Sequence, residues 1–219
     1  MHSFTNSATS VPDRAASVLC RLRDRYPQVK SQLRWRSPWE LLVATILAAQ
    51  CTDTRVNAVT PAFFAQWPTI QDLAEADVVE VQEVIRSTGL YRNKAKHLIQ
   101  AARKLVHSYH GHVPWTMPEL TSLPGVARKT ANIVLSHAFG VHEGIAVDTH
   151  VKRLSLRLGL TVSQNPEKIE RDLMPLFPRP AWGEINHLLV WYGREVCTAR
   201  SPRCSACILA DLCPRVGLA

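Results

Sequence analysis

The chain has 219 residues and a mass of 24.5 kDa, which is enough for one large domain or two small ones. A hydrophobic content of 46% and a charged content of 20% are typical of a folded globular protein and exclude an intrinsically disordered one. The formal net charge of +8 suits a polyanionic partner such as nucleic acid, although charge alone does not establish one. The longest apolar run, residues 41–49, is too short to span a bilayer, so no membrane partner is expected.

The first residues carry no secretion signal. Residues 1–12 are polar and rich in Ser and Thr, without the apolar core of a signal peptide, and we expect them to form a frayed tail. We therefore expect a cytoplasmic protein. In that compartment thiols stay reduced, and clustered cysteines more often bind a metal than form disulfides.

Helix signals follow one another along the rest of the sequence. A capping box at residues 37–40, with Pro in the first helical position, opens a segment that is apolar on every side and predicts a central buried helix. A helix is predicted from Asp77 to near Gly89, a basic amphipathic one over 92–107, and a short one after a second capping box at 116–119. Further helices are predicted over 129–139, from Asn165 to before Pro178, and over 182–192. With about eight to ten short helices and no alternating pattern, the fold class is all-α.

Cysteines are concentrated at the end of the sequence. Four of the six, Cys197, Cys204, Cys207 and Cys213, lie within the last 23 residues. Their short spacers bring four sulfurs towards a common point, as in four-cysteine sites for zinc or for an iron–sulfur cluster. The spacing alone does not choose between these two. Cys20 and Cys51 lie in apolar helical stretches and are predicted to be packed core thiols.

A Pro-Gly turn between two helical segments predicts a helical hairpin. Such a turn presents backbone N–H groups at the start of the second helix, where a phosphate binds well, and it grips DNA without reading the sequence. An ordinary helix–helix turn is the alternative. Because the helical pattern continues from the end of the motif, we expect negative φ at Ala127 and the special turn conformation at Gly125. The motif is Leu123-Pro124-Gly125-Val126-Ala127-Arg128.

Two polar residues after this turn are candidate catalytic groups. Lys129 lies at the start of the second helix, where the positive end of the helix dipole disfavours a cation. Desolvation or neighbouring positive charge would favour its neutral, nucleophilic form, whereas the alternative is a solvated surface lysine. Asp148 precedes another helical run and is predicted to be its N-cap, a catalytic carboxylate, or both.

Taken together, these features resemble the endonuclease III family of helix-hairpin-helix DNA glycosylases. The resemblance covers about residues 15–215, through segments at 47–53, 89–91, 123–132 and 147–150 and the four clustered cysteines. It implies two helical domains with a DNA groove between them. A six-helix domain would span 32–141 and contain the hairpin. A four-helix iron–sulfur domain would span 142–219 and include the helix of the N-terminal segment 1–31.

The resemblance also implies roles for individual residues. The four cysteines would hold one four-iron four-sulfur cluster. The Lys129 amine would attack the sugar C1′ of a damaged nucleotide, and the resulting Schiff base would permit β-elimination, with Asp148 stabilising the cationic sugar. Gln50 and Leu90 would fill the gap left by an extruded nucleotide; without the resemblance, Leu90 is assigned to the core. Further DNA contacts are implied for Leu123, Pro124, Gly125, Val126, Ala127, Arg128, His150, Arg200 and Arg203.

The implied partner is double-stranded DNA with oxidised or ring-saturated pyrimidines or abasic sites, bound by a monomer at the nucleoid. Ala127 and Cys51 depart from the family pattern, which usually has a second glycine and a small residue there. An adenine-removing relative is the nearest alternative, but it lacks the catalytic lysine and normally carries a further C-terminal domain. Here Lys129 is present and six residues follow Cys213. A non-catalytic DNA-binding or redox-sensing module is the alternative from another class.

Overall fold

A computed structural model describes residues 10–29 and 31–218 of the chain. Those residues form eleven α-helices and four 3₁₀ turns, with no β-strand among them, which confirms the all-α prediction. No helix within these two ranges is long and apolar enough to cross a membrane. The α-helices are α1 Val11–Arg25, α2 Pro38–Leu47, α3 Asp53–Gln66, α4 Ile70–Glu75, α5 Val78–Ile85, α6 Tyr91–Tyr109, α7 Met117–Thr121, α8 Arg128–Ala138, α9 Thr149–Arg157, α10 Pro166–Leu173 and α11 Trp182–Glu195.

The chain divides into two compact units. The first unit is Ser31–Glu143, and the second unit joins the described N-terminal segment to the residues from Gly144 onward. The described part of the first unit contains seven α-helices rather than the six expected, and two of them, α4 and α7, have only six and five residues. The described part of the second unit contains four, namely α1, α9, α10 and α11.

Helix α2 forms the centre of the first unit. Ser37 caps it, because its hydroxyl accepts a hydrogen bond of 3.2 Å from the Glu40 N–H, which is one half of the predicted capping box. The Glu40 carboxylate accepts from the N–H of Arg36 rather than from that of Ser37. All seven residues from Leu41 to Leu47 are buried, so the helix is enclosed on every side. Burial of each large aliphatic side chain contributes about 1.5–3 kcal/mol, and this packing against α8 holds the helix that follows the hairpin.

The apolar face of helix α1 packs in the core of the second unit. Ala15, Val18 and Leu22 are fully buried there. The exposed ion pairs on its polar side contribute only about 0–1 kcal/mol each, so burial rather than charge holds the helix in place. These pairs are Arg21–Asp211, Arg23–Glu184 and Arg25–Glu195.

Three local predictions are wrong. The tail ends earlier than expected, because Ser10 caps α1 through a 3.3 Å hydrogen bond from the Asp13 N–H; residues 1–9 lie outside the described residues. The hydroxyl of Thr116 donates to the Glu119 carboxylate at 2.6 Å and does not cap α7. Cys20 is exposed, because it lies on the side of α1 opposite the buried face, whereas Cys51 is half-buried against the core of the first unit.

Candidate functional site

The predicted hairpin lies between α7 and α8. Leu123 and Val126 anchor it in the core, and the Val126 N–H closes the turn by donating to the Leu123 carbonyl at 3.1 Å. Gly125 has a φ of +79°, and a Cβ there would lie 2.9 Å from the Cβ of His97 on α6. The position therefore requires glycine for its backbone conformation and for space, as the sequence predicts.

Helix α8 begins without a side-chain cap. Its N-cap residue is Ala127, with φ −85° and ψ 167°, which confirms the expected negative φ. Alanine carries no acceptor, whereas side-chain acceptors cap the helices α2, α3, α4 and α5 of the same unit. The first turn of α8 therefore presents backbone donors and the positive end of the helix dipole, an arrangement suited to a phosphate.

Lys129 is the second residue of α8, and its side chain is exposed. The described residues of the first unit therefore do not bury the Lys129 amine, so they do not supply the desolvation that would favour its neutral form. Arg128 precedes it, so two cationic side chains stand at the positive end of one helix. Farther along the helix, Ala131 and Leu135 are fully buried and fix α8, and with it the base of the lysine side chain.

Asp148 caps α9 in the second unit. Its Oδ1 accepts hydrogen bonds from the N–H groups of His150 and Val151, each at 2.8 Å. The cap uses one carboxylate oxygen, so the geometry allows the second oxygen a further role. Of the two predicted roles of Asp148, the structure confirms the helix N-cap, and the catalytic role stays a prediction.

Gln50 and Leu90 share an uncommon backbone conformation. Their φ angles are 54° and 50°, in the left-handed region, which typically costs a non-glycine residue about 1–3 kcal/mol. The Leu90 side chain is 54% exposed, so the assignment of this residue to the core is wrong. Strained backbone at both residues and the exposed apolar side chain of Leu90 are features typical of binding loops, and the DNA contacts implied for Gln50 and Leu90 stay predictions.

Sequence reasoning missed Lys94, the fourth residue of α6. This side chain is only 4% exposed, and its amine donates to the carbonyl oxygens of Leu47 and Thr88, each at 2.8 Å. Burial lowers the pKa of Lys94 below the usual value for a lysine. The signal in the sequence is its spacing, because residues 94, 95, 98, 102 and 105 all lie on the buried face of α6.

The four clustered cysteines line one cavity of the second unit, as the sequence predicts. Cys197, Cys204, Cys207 and Cys213 are all half-buried around it. In the described part of the chain, no three His, Cys, Asp or Glu side chains are arranged to hold a single metal ion. The four sulfurs around this shared space are the kind of ligand set that an iron–sulfur cluster uses.

Two buried side chains donate to the sulfurs of this cavity. Arg157 donates from a guanidinium N–H to the Cys197 Sγ at 3.2 Å, and the Tyr192 hydroxyl donates to the Cys207 Sγ at 3.0 Å. Hydrogen bonds of this kind stabilise the thiolate form that iron requires. The donor set and its surroundings thus fit an iron–sulfur cluster.

Hydrogen bonds from Arg157 hold the loop between the first two cysteines. Arg157 donates to the carbonyls of Thr198 and Ala199 at 2.7 and 2.9 Å, while Arg200 and Arg203 on the same loop are exposed. The structure places these two arginines, Asp148, His150 and the four cysteines in the second unit. The hairpin, Lys129, Gln50 and Leu90 lie in the first unit.

Comparisons with known proteins support the family that the sequence resembles. Residues 43–179 match the model of the HhH-GPD superfamily base excision DNA repair proteins, and residues 197–213 match the iron–sulfur binding domain of endonuclease III. Endonuclease III of Synechocystis sp. is 52% identical over 98% of both chains. Endonuclease III of Escherichia coli (strain K12) is 40% identical, over 90% of this chain and 92% of that relative.

Solved structures extend the similarity to the whole fold. A trapped endonuclease III–DNA covalent intermediate, an estranged-adenine complex, superimposes with a TM-score of 0.90 at 40% identity. The match covers 94% of this chain and 97% of that one. The chain therefore belongs to the endonuclease III family, whose members are base excision DNA glycosylases and AP lyases and whose cysteine loop binds a four-iron four-sulfur cluster.

Proposed function

We propose that this enzyme removes oxidised or ring-saturated pyrimidines from double-stranded DNA and cuts the strand at the resulting abasic site, with Lys129 as the nucleophile. The observation that carries the proposal is the exposed Lys129 in the uncapped first turn of α8, directly after the Gly125 turn. A turn that grips a DNA phosphate through backbone N–H groups brings this amine to the sugar, because phosphate and sugar are neighbours in the strand. A covalent intermediate with DNA has been trapped for the similar endonuclease III.

In the proposed reaction, the neutral Lys129 amine attacks C1′ as the bond between sugar and base breaks. The base leaves with the bonding electrons and takes up a proton, and opening of the sugar ring gives a Schiff base. Loss of a C2′ proton to a general base then expels the 3′ phosphate oxygen by β-elimination. The Asp148 carboxylate stabilises the positive charge that develops on the sugar.

Other proposed contacts hold the DNA. The hairpin residues 123–128, together with His150, Arg200 and Arg203, bind the backbone, and Gln50 and Leu90 fill the gap left by the extruded nucleotide. The four cysteines hold the cluster, which supplies the cross-links that fix the loop carrying the two arginines. We further propose that the enzyme acts as a monomer on chromosomal DNA in the cytoplasm.

Borohydride trapping tests the nucleophile directly. Wild-type protein mixed with a thymine-glycol duplex and borohydride should give a covalent adduct that migrates more slowly. Lys129→Ala should abolish this adduct and strand cleavage while the protein still folds and binds DNA, because the removed side chain is exposed. Lys168→Ala is the matched control, since Lys168 is also exposed in the first turn of a helix, α10.

The outcomes separate the alternatives. Trapping that persists in Lys129→Ala would assign the nucleophile to another residue. Release of adenine by the wild-type protein without any adduct would favour the adenine-removing activity. Binding of damaged DNA with neither base release nor adduct would favour a non-catalytic module.

A further inference from the structure

Lys94 connects the two loops that carry Gln50 and Leu90. Its amine donates to the carbonyls of Leu47 and Thr88, which end helix α2 and the 3₁₀ turn Arg86–Thr88. These carbonyls lie three residues before Gln50 and two residues before Leu90. One buried side chain therefore bridges two segments that are distant in sequence and that each reach a left-handed residue within the next three positions.

The backbone of Lys94 adds a third connection. Its N–H donates to the carbonyl of Leu90 at 3.1 Å, within the first turn of α6. On the other loop, the Cys51 N–H donates to the Ala48 carbonyl at 3.1 Å, so the chain between Leu47 and Gln50 is a tight turn. Few flexible bonds therefore separate the Lys94 amine from either left-handed residue.

Filling of space alone does not account for a lysine at this position. A buried ammonium loses its hydration, and no carboxylate in the described chain pairs with it. A methionine of similar length would fill the same space without that cost. Methionine has no hydrogen-bond donor, whereas the lysine amine donates to the carbonyls of both loops at the same time.

We propose that Lys94 is a positioning residue that sets the spacing of Gln50 and Leu90 and thereby controls how well they replace an extruded nucleotide. The inference rests on the proposed gap-filling roles of Gln50 and Leu90. Lys94 itself is buried beneath the loops and acts on DNA only through them.

A double-mutant comparison tests this role. Extrusion is followed by the fluorescence of 2-aminopurine placed beside a thymine glycol, and chemistry by single-turnover base release. Lys94→Met should slow both by about tenfold with a smaller change in DNA affinity. In a Gln50→Ala, Leu90→Ala background, the same substitution should have less than about a twofold effect, because the groups it positions are gone. Lys94→Arg, which keeps several donors, should retain most of the wild-type rate.

Arg103→Met is the matched control, since Arg103 on the same helix donates to one backbone carbonyl, that of Ala74 in α4. It should leave extrusion unchanged. Equal losses from Lys94→Met in the two backgrounds, or from Lys94→Arg and Lys94→Met alike, would overturn the inference while leaving the proposed roles of Gln50 and Leu90 standing. Normal extrusion in the Gln50→Ala, Leu90→Ala protein would overturn both. If Lys94→Met does not fold, Lys94→Gln, which keeps one donor group, replaces it in the same comparison.

Discussion

The Arg157 guanidinium donates a hydrogen bond to the Cys197 sulfur at 3.2 Å, from the last residue of the helix that Asp148 caps. Arg157 is 8% exposed, and its remaining donors hold the cysteine loop through two carbonyls. An N–H directed at a thiolate stabilises its negative charge and strengthens its bond to iron. The C-terminal end of α9 and the cluster ligands are therefore parts of one connected structure.

Arg157→Met should weaken cluster retention. The substitution keeps the apolar stem but leaves two carbonyls without a donor, at about 1–3 kcal/mol each, and removes the bond to the sulfur. Purified wild-type protein should hold close to four irons per chain, and the variant should hold fewer and lose them faster to a chelator. The exposed Arg171→Met on α10 is the control. Equal iron content and equal loss rates would mean that the hydrogen bonds of Arg157 do not support the cluster.

Asp148→Asn should separate the cap from catalysis. Asparagine caps helices about as well as aspartate, so the free energy of unfolding should change by about 1 kcal/mol or less, while base release slows strongly because the charge is lost. The matched control is Asp77→Asn, because Asp77 caps α5 through the same pair of N–H contacts to one oxygen. Thermal melts and single-turnover rates measure the two effects. A variant that unfolds, or that keeps full activity, would leave Asp148 with a capping role alone.

Gly125→Ala should weaken DNA binding far more than Ala127→Gly changes it. At φ +79°, a Cβ is strained by about 1 kcal/mol or more, and it would also press on His97. Ala127 already has negative φ, so Ala127→Gly should alter the free energy of unfolding by less than about 1 kcal/mol. Melting curves and binding curves on both variants are the measurement. Clear stabilisation and tighter binding by Ala127→Gly would place the strained position at 127 instead.

DNA affinity should fall steeply as salt rises. Each phosphate contact contributes about −0.9 to the slope of log affinity against log salt, and the chain carries a net charge of +8. Arg200→Ala and Arg203→Ala should each reduce that slope by about 1 if these exposed side chains contact phosphates. Titrations on damaged and undamaged duplex at several salt concentrations give the slopes. Unchanged slopes would remove both arginines from the interface.

Much of the fold was predictable because the signals are local. The box at residues 37–40 marks the start of the buried helix, and the Pro-Gly turn marks the hairpin. Helix α4 was not predicted from the sequence, although it begins with a capping box of Thr69 and Asp72. Its six residues are too few to show a periodic hydrophobic pattern. Helix α3 was not predicted from the sequence, because Pro61 lies within it and its apolar residues do not follow one clear stripe.

The site was less predictable because its key features are not local. Nothing in the residues around Gln50 or Leu90 dictates left-handed backbone, which packing imposes on both. Helical spacing places position 94 on the buried face of α6, but the carbonyls that its amine binds belong to distant segments and are seen only in the structure. Only the resemblance to a family implied DNA contacts for Gln50 and Leu90, and those contacts stay predictions.

The second unit is discontinuous in the chain, and this has a consequence during synthesis on the ribosome. The apolar face of α1, with Ala15, Val18 and Leu22, finds its partners only among residues from Gly144 onward. At about 5–20 residues per second, more than a hundred intervening residues leave that face uncovered for roughly 5–25 s, during which Ser31–Glu143 can complete its own core. A nascent chain that stops before residue 144 therefore exposes the apolar face of α1 to chaperones and proteases while the first unit can already be folded.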